Sequence, residues 1–297
     1  NRNVQAMRIL NAVKEKSRLK GQWRIHAEAC LGLAQLHQKL QRPNQAKTNL
    51  GDARMAIVQH GLNVTYPALA IRSASWHYNF GYPDSVRYFA LEAIKTAEAF
   101  KLPFLVADGH TLMGFYEEEG QPQAAIKHHE QSAGILRRMH NYKRLSEEYL
   151  HIAGLYLKLV DSQKARLYVD SSIVTAYQSI AAGDEKNATL HEAYLNKGGI
   201  YKQLGRLDSA YFYSNRGWSQ KVLFMELQDH DRAVEVDGKY KDEQRTQQLK
   251  IQEQLLVLER QRFRGALIIA CITLFFTGIL VYYYLRLRKA NRITRQQ

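Results

Sequence analysis

Histidine beside an acid is the pairing in this sequence best equipped for chemistry, and it occurs at His128-His129-Glu130 and at His26-Ala27-Glu28. A helical zinc site needs a second histidine one turn further on, so that two imidazoles share a face. Neither segment supplies one, and both read as surface or packing histidines. The two cysteines are Cys30, at a packing position of a helix, and Cys271, inside a long apolar run. They do not read as a pair, and neither stands where a thiolate would be activated. Gly198-Gly199 falls within a helical pattern, where small residues serve packing, and so is no phosphate-binding loop. No catalytic, cofactor-binding or metal-ligating set is read from the chain, which is taken as a non-enzyme.

The residues with consequence are those that position helices. The 297 residues are 45% hydrophobic and 24% charged, a globular composition rather than a disordered one. Five prolines against abundant Ala, Leu, Gln, Arg and Lys point to an all-α fold. A net charge of +14 raises nucleic acid or an anionic surface as partners, but the excess is spread thinly, as on a solvated surface, and no nucleic-acid partner is expected.

One context recurs: Pro43-Asn44-Gln45-Ala46, Pro83-Asp84-Ser85-Val86 and Pro122-Gln123-Ala124-Ala125, then Ser162-Gln163-Lys164-Ala165 and Leu207-Asp208-Ser209-Ala210. The closing residues lie 40, 39, 40 and 45 positions apart. Nine residues before each stands His37, His77, Tyr116, Tyr156 or Tyr201; three before that, Ala34, Ala74, Met113, Ala153 or Gly198. Seven residues after each comes Ala53, Ala93, Ser132, Ser172 or Gly217. A helix, a turn and an antiparallel second helix account for this: small residues allow close approach, the ring fills the gap, and Pro starts the second helix where its missing N–H is not needed. Gly81, Gly120 and Gly205 are placed to end the first helix in the left-handed conformation.

These offsets resemble the tetratricopeptide repeat, most closely in Tyr194, Gly198, Tyr201, Gly205 and Ala210. The resemblance implies a helical-hairpin solenoid over 1–222, with 1–20 the remnant of an earlier unit and repeats at about 23–60, 66–100, 103–140, 142–180 and 188–222. Ala46, Ala125, Ala165, Tyr116, Tyr156, Tyr194, Gly198, Tyr201 and Ala210 are its packing residues. It also implies a concave face that binds a protein or peptide. By the family's geometry that face carries Glu28, Leu31, Gln35 and Gln38; Ala68, Ile71, Ser75 and Tyr78; Ala107, His110, Gly114 and Glu117; Glu147, Leu150, Gly154 and Leu157; and Glu192, Leu195, Gly199 and Lys202. Of these, Tyr78, His110, Glu117 and Lys202 are the candidate contacts. The Lys and Asn clamp with which chaperone-binding relatives hold a peptide carboxylate is missing.

Beyond the repeats, 223–264 reads as a polar linker helix with weak coiled-coil spacing at Leu249, Leu256 and Phe263. Residues 265–285 carry no charge over 21 positions, about 30 Å of helix, and so read as a single transmembrane span. Tyr282, Tyr283 and Tyr284 suit its interface, and five basic residues with no acid follow it, which predicts a cytoplasmic stub at 286–297 and repeats outside the inner membrane. The start at Asn1 is read as that of a processed or cut piece. The order repeats, KY-x-x-E-rich helix, span and RLRKANRITRQQ resembles the sensor region of Bacteroidetes-type membrane histidine kinases. The resemblance implies the input half of a signal-transduction protein in a two-component system, with kinase chemistry absent from this chain and a homodimer through linker and span as one arrangement. A membrane-anchored scaffold without output domain, or the input region of a helix-turn-helix regulator, fits the same order.

Overall fold

All five prolines lie in the first turn of a helix, where a missing N–H leaves no hydrogen bond broken. They begin α3 (Pro43–Gln59), α4 (Tyr66–Phe80), α5 (Pro83–Ala99), α6 (Pro103–Glu117) and α7 (Pro122–Arg138). Before them come α1 (Arg2–Leu19) and α2 (Trp23–Lys39), and after them α8 (Tyr142–Lys158), α9 (Ser162–Ala181), α10 (Thr189–Gln203) and α11 (207–227). Asn141 and Asp161 start α8 and α9 differently: their side chains accept the N–H groups of Arg144 and Lys164. This computed structural model describes residues 2–184 and 188–227, with isolated positions beyond. The backbone divides into units 1–232 and 233–297, and the helices above all belong to the first. Among the described residues no helix is long and apolar enough to cross a membrane; the span expected at 265–285, the stub and the linker after 227 lie outside them.

Turns are set by a recurrent left-handed residue. Gly21, Gln41, Gly61, Gly81 and Lys101 follow one another at twenty-residue steps, as do His140 and Val160, and all have positive φ. The next N–H reaches back five residues, as from Arg42 to the His37 carbonyl, Tyr82 to His77 and Asp161 to Tyr156. That is the Schellman closure, which caps the last free carbonyls of a helix and turns the chain sharply. Gly81 and Gly205 take this conformation. Gly120 does not: the α6–α7 turn closes with a shorter bond from Gln121 to the Glu117 carbonyl, so the glycine needs no positive φ there. The forty-residue period thus comes from two helices of about four to five turns with short links, longer than the family's usual thirty-four residues allow.

Helices pair as α2–α3, α4–α5, α6–α7, α8–α9 and α10–α11. Ala34, Ala46, Ala53, Ala74, Ala93, Ala125, Ala153 and Ala165 are fully buried, and Ala210 nearly so. The rings fill the space beside them: Tyr156 stacks on Tyr168 at 5.5 Å and Tyr201 on Tyr213 at 5.2 Å, Tyr194 bonds the Tyr177 hydroxyl at 3.1 Å, and Tyr116 packs on the α4–α6 cluster. The core is a series of local clusters, each drawn from successive helices: α2–α4, α4–α6, α6–α8 and α8–α10. Such a stack is stabilised by nearest neighbours, as in other solenoids.

Adjacent glycines in α10 play opposite parts. A Cβ on Gly198 would meet the Ser214 amide at 3.0 Å and the Ala210 carbonyl at 3.1 Å, whereas one on Gly199 would meet nothing within 4 Å. Gly198→Ala is therefore expected to destabilise by about 1–3 kcal/mol through overpacking, and Gly199→Ala to stabilise by roughly 0.5–1 kcal/mol through helix propensity. Urea unfolding of the two variants checks the signs. Equal effects would contradict the packing.

Candidate binding groove and the polar contacts behind it

First helices of successive repeats pack on one another at α2–α4, α4–α6 and α8–α10, while successive second helices come no such distance. The side where first helices crowd is the inner side of the stack. An aromatic line crosses it: Tyr78 of α4 stacks on Phe115 of α6 at 5.5 Å, and Phe115 meets His151 of α8 edge-on at 4.8 Å. A charged line runs beside it, where Arg144 of α8 is ion-paired with Asp108 of α6 and Arg72 of α4 faces the same carboxylate. Burial pushes the Arg72 guanidinium below its ordinary value; Asp108 opposes this and Arg144 adds to it. At the other end Lys158 bonds Glu118 at 2.7 Å. Tyr78, Tyr82, Phe115, Glu118, Glu119 and Lys158 surround a cleft of about 320 Å³. Gly154 lies on the face of α8 that bears His151 and Lys158, and nothing lies within 4 Å of its missing side chain.

The four sequence-predicted contacts are placed differently from one another. Tyr78 is exposed on the inner side, and Lys202 is exposed in the last turn of α10. His110 and Glu117 turn away, towards α7. The His110 and His128 Nδ1 atoms lie 3.0 Å apart, and His128 Nε2 is 3.6 Å from a Glu117 carboxylate oxygen. Ile71 and Ala107, placed on the groove by the repeat offsets, are core residues. In α4 and α6 the inner face also carries Arg72, Asp108 and Phe115, each one residue beyond a predicted position, while Tyr78, Gly154, Gly199 and Lys202 keep the predicted offsets.

Behind the groove lies a polar cluster that the sequence reading missed. Glu148 of α8 is 2% exposed and His129 of α7 fully buried. His129 Nδ1 approaches Glu148 Oε2 at 2.7 Å, and the Thr111 hydroxyl of α6 donates to Oε1 at 2.5 Å. Ser132 completes the set, 3.1 Å from Thr111 Oγ1. Burial opposes ionisation of Glu148, but the hydrogen bond and charge of His129 and the Thr111 hydroxyl outweigh it and hold the carboxyl below its ordinary value. Space for the imidazole comes from Gly114, whose Cβ would lie 2.6 Å from His129 Cδ2. His129 is therefore a core group rather than a surface histidine. The available signal was Glu148 itself, a carboxylate on the apolar stripe of Leu145, Ile152 and Leu155.

The remaining candidates fall to structure. His26 is buried, its Nδ1 3.0 Å from the Lys14 carbonyl, and burial pushes the neighbouring Cys30 thiol up to about 11, far from thiolate chemistry. Among the described residues no group of three His, Cys, Asp or Glu side chains is arranged to hold a metal.

A tetratricopeptide-repeat family model matches residues 191–217, the copy that contains Tyr194, Gly198, Tyr201, Gly205 and Ala210. Among solved structures the chain is similar to BtubC (BKLC) from P. vanneervenii, at 16% identity over 75% of this chain and 92% of that one, with a TM-score of 0.64. Weaker likenesses are to pilF of Pseudomonas aeruginosa, 17% identical over 77% and 100% of the chains with a TM-score of 0.48, and to MamA, 15% over 62% and 96% with 0.44. No curated protein sequence matches. The repeat match assigns the copy at 191–217 to the tetratricopeptide family, and the observed hairpins with the likeness to BtubC show a helical-hairpin repeat fold for the described helices.

Burial, with His128 as a like charge, pushes His110 down from 6.5 to about 4, and burial lowers His128 as well. For His110 the unfolded chain takes the proton first, so the stability gained by keeping it neutral is full above pH 6.5 and is lost as pH falls towards 4. Glu148, with its lowered pKa, adds a loss below 4.5 in the same direction. Urea midpoints should therefore fall steadily between pH 6.5 and 4, and His110→Gln should flatten the upper part of that slope. A midpoint constant over this range would contradict the assignment.

Proposed function

We propose that this chain is the extracytoplasmic, protein-binding sensory part of a single-span inner-membrane protein, the input half of a signal-transduction protein of the sensor histidine kinase kind. Gly154 and its counterpart Gly199 carry the binding part of the reading. Each costs a helix roughly 0.5–1 kcal/mol relative to alanine, and no neighbouring helix requires either. A bare patch on first helices admits the backbone of a bound segment, beside the Tyr78–Phe115–His151 rings and the Lys158 and Lys202 ammonium groups. What supports the membrane part is the uncharged run 265–285 with its basic flanks. Binding would be transmitted only by favouring one of two arrangements of the helix entering the bilayer, in a single chain or a homodimer.

Two measurements on the full chain test this. A phosphatase reporter that matures only outside the cytoplasm should be active when fused before Asn1 and inactive when fused after Gln297; the reverse pattern would contradict the topology. Peptides selected on the detergent-solubilised chain should lose at least about tenfold in affinity, some 1.4 kcal/mol, on Gly154→Leu or Gly199→Leu. Gly134→Leu, at another open helical glycine but on a second helix, should leave binding unchanged. Equal losses at all three sites would remove the groove from the account.

A further inference from the structure

A second cleft adjoins the first, sharing His77 and Tyr82 with it, but opens between second helices and has a different chemistry. α3 packs against α4 more loosely than any other successive pair from α1 to α10, and the link between them contains the 3₁₀ turn Asn63–Thr65 with Thr65 buried. The resulting gap between the second helices α3 and α5, floored by α4, holds about 430 Å³. Trp76 lies in its floor, 8% exposed, with its indole N–H already donated to the Pro43 carbonyl at 3.1 Å, so the surface it offers is apolar. Tyr82 stacks on Trp76 at 5.6 Å and an interplanar angle of 8°, and Tyr88 stands opposite; both tyrosines are more than half exposed.

Two cations flank this aromatic floor. Lys47 Nζ is 5.7 Å from the centroid of the Trp76 ring, and Arg54 stands two turns further along α3. No acidic residue lines the cleft, and neither cation is ion-paired among the described residues. Glu92 of α5 acts on the Tyr66 hydroxyl at the edge, where burial raises the phenol and Arg54 opposes that rise, without entering the cleft. Between Lys47 and Arg54 the wall is Gly51, whose absent Cβ would meet nothing within 4 Å. A mid-helix glycine that no packing contact demands leaves that stretch of wall open to an incoming chain.

We propose that this outer cleft binds an acidic segment of a partner protein, seating an apolar or aromatic side chain on Trp76 and Tyr82 and a neighbouring carboxylate between Lys47 and Arg54. The inference is independent of the inner groove and of the membrane reading. Charge complementarity selects the occupant: two cations with no ion-pair partner among the described residues, beside an aromatic floor and on a chain of net charge +14, favour an acidic partner over a second copy of this basic chain.

The probe is a dye-labelled peptide carrying two phenylalanines flanked by glutamates, titrated by fluorescence anisotropy against the full chain in detergent. Binding should weaken as salt is raised. It should fall at least about tenfold, some 1.4 kcal/mol, on Lys47→Glu with Arg54→Glu, and similarly on Gly51→Met. Methionine is a better helix former than glycine, so Gly51→Met should keep its helicity and melting temperature while filling the cleft. Tyr78→Ala on the inner side should leave this binding unchanged, which separates the cleft from the groove. Failure to bind, binding indifferent to Gly51→Met, or loss on Tyr78→Ala instead would each overturn the proposal. So would concentration-dependent self-association abolished by Gly51→Met, which would assign the cleft to a second copy.

Discussion

Glu148 is a carboxylate removed from water, and the rest of the inner surface depends on how it is held. Taking a charge into the interior costs several kcal/mol unless it is paired and hydrogen-bonded. Here the pairing comes from His129 on α7 and the hydroxyl from Thr111 on α6, while Glu148 itself rides on α8. The contact therefore joins both helices of one repeat to the first helix of the next. Only one rotation and one height of α8 satisfy both oxygens. The Asp108–Arg144 pair and the Phe115–His151 contact, on the same helices, inherit that setting.

Elsewhere the stack is joined by means that specify less. Alanines at the hairpin faces allow close approach and can be satisfied by small shifts, since an apolar surface has no preferred direction. Four local clusters follow one another along the chain, and none spans the whole stack. In such an architecture a directional polar contact between repeats has disproportionate influence on geometry. Gly114 belongs to the same device, because any side chain there would occupy the volume of the His129 ring. Its conformational cost in mid-helix is offset by the contact it makes room for.

Much of this was legible in the sequence. The helical class, the proline-led second helices and the tetratricopeptide character at Tyr194–Ala210 follow from spacing, because close packing of two helices restricts residue size at fixed intervals. Turn chemistry was legible only where glycine marks it. Gln41, Lys101, His140 and Val160 take the same left-handed conformation with nothing in their type to announce it, and Gly120 announced it without adopting it. Groove contacts were the least legible. A step of one residue moves a side chain by about 100° around the helix axis, enough to bring Phe115 inward while His110 and Glu117 face α7. Glu148 and His129 lie nineteen residues apart and meet only because α7 and α8 pack together, a relation that no local pattern encodes.

The buried His129–Glu148 hydrogen bond thus sets the register of two repeats and with it the surface available to a partner. A double-mutant cycle with His129→Leu and Glu148→Leu, followed by urea unfolding, tests this most directly. Each single change strands one buried partner and should cost about 3–5 kcal/mol, while the double variant, with neither group present, should recover at least roughly 2 kcal/mol of the summed loss. Losses that simply add would mean that the two side chains only fill space, and would contradict the central role given to their pairing.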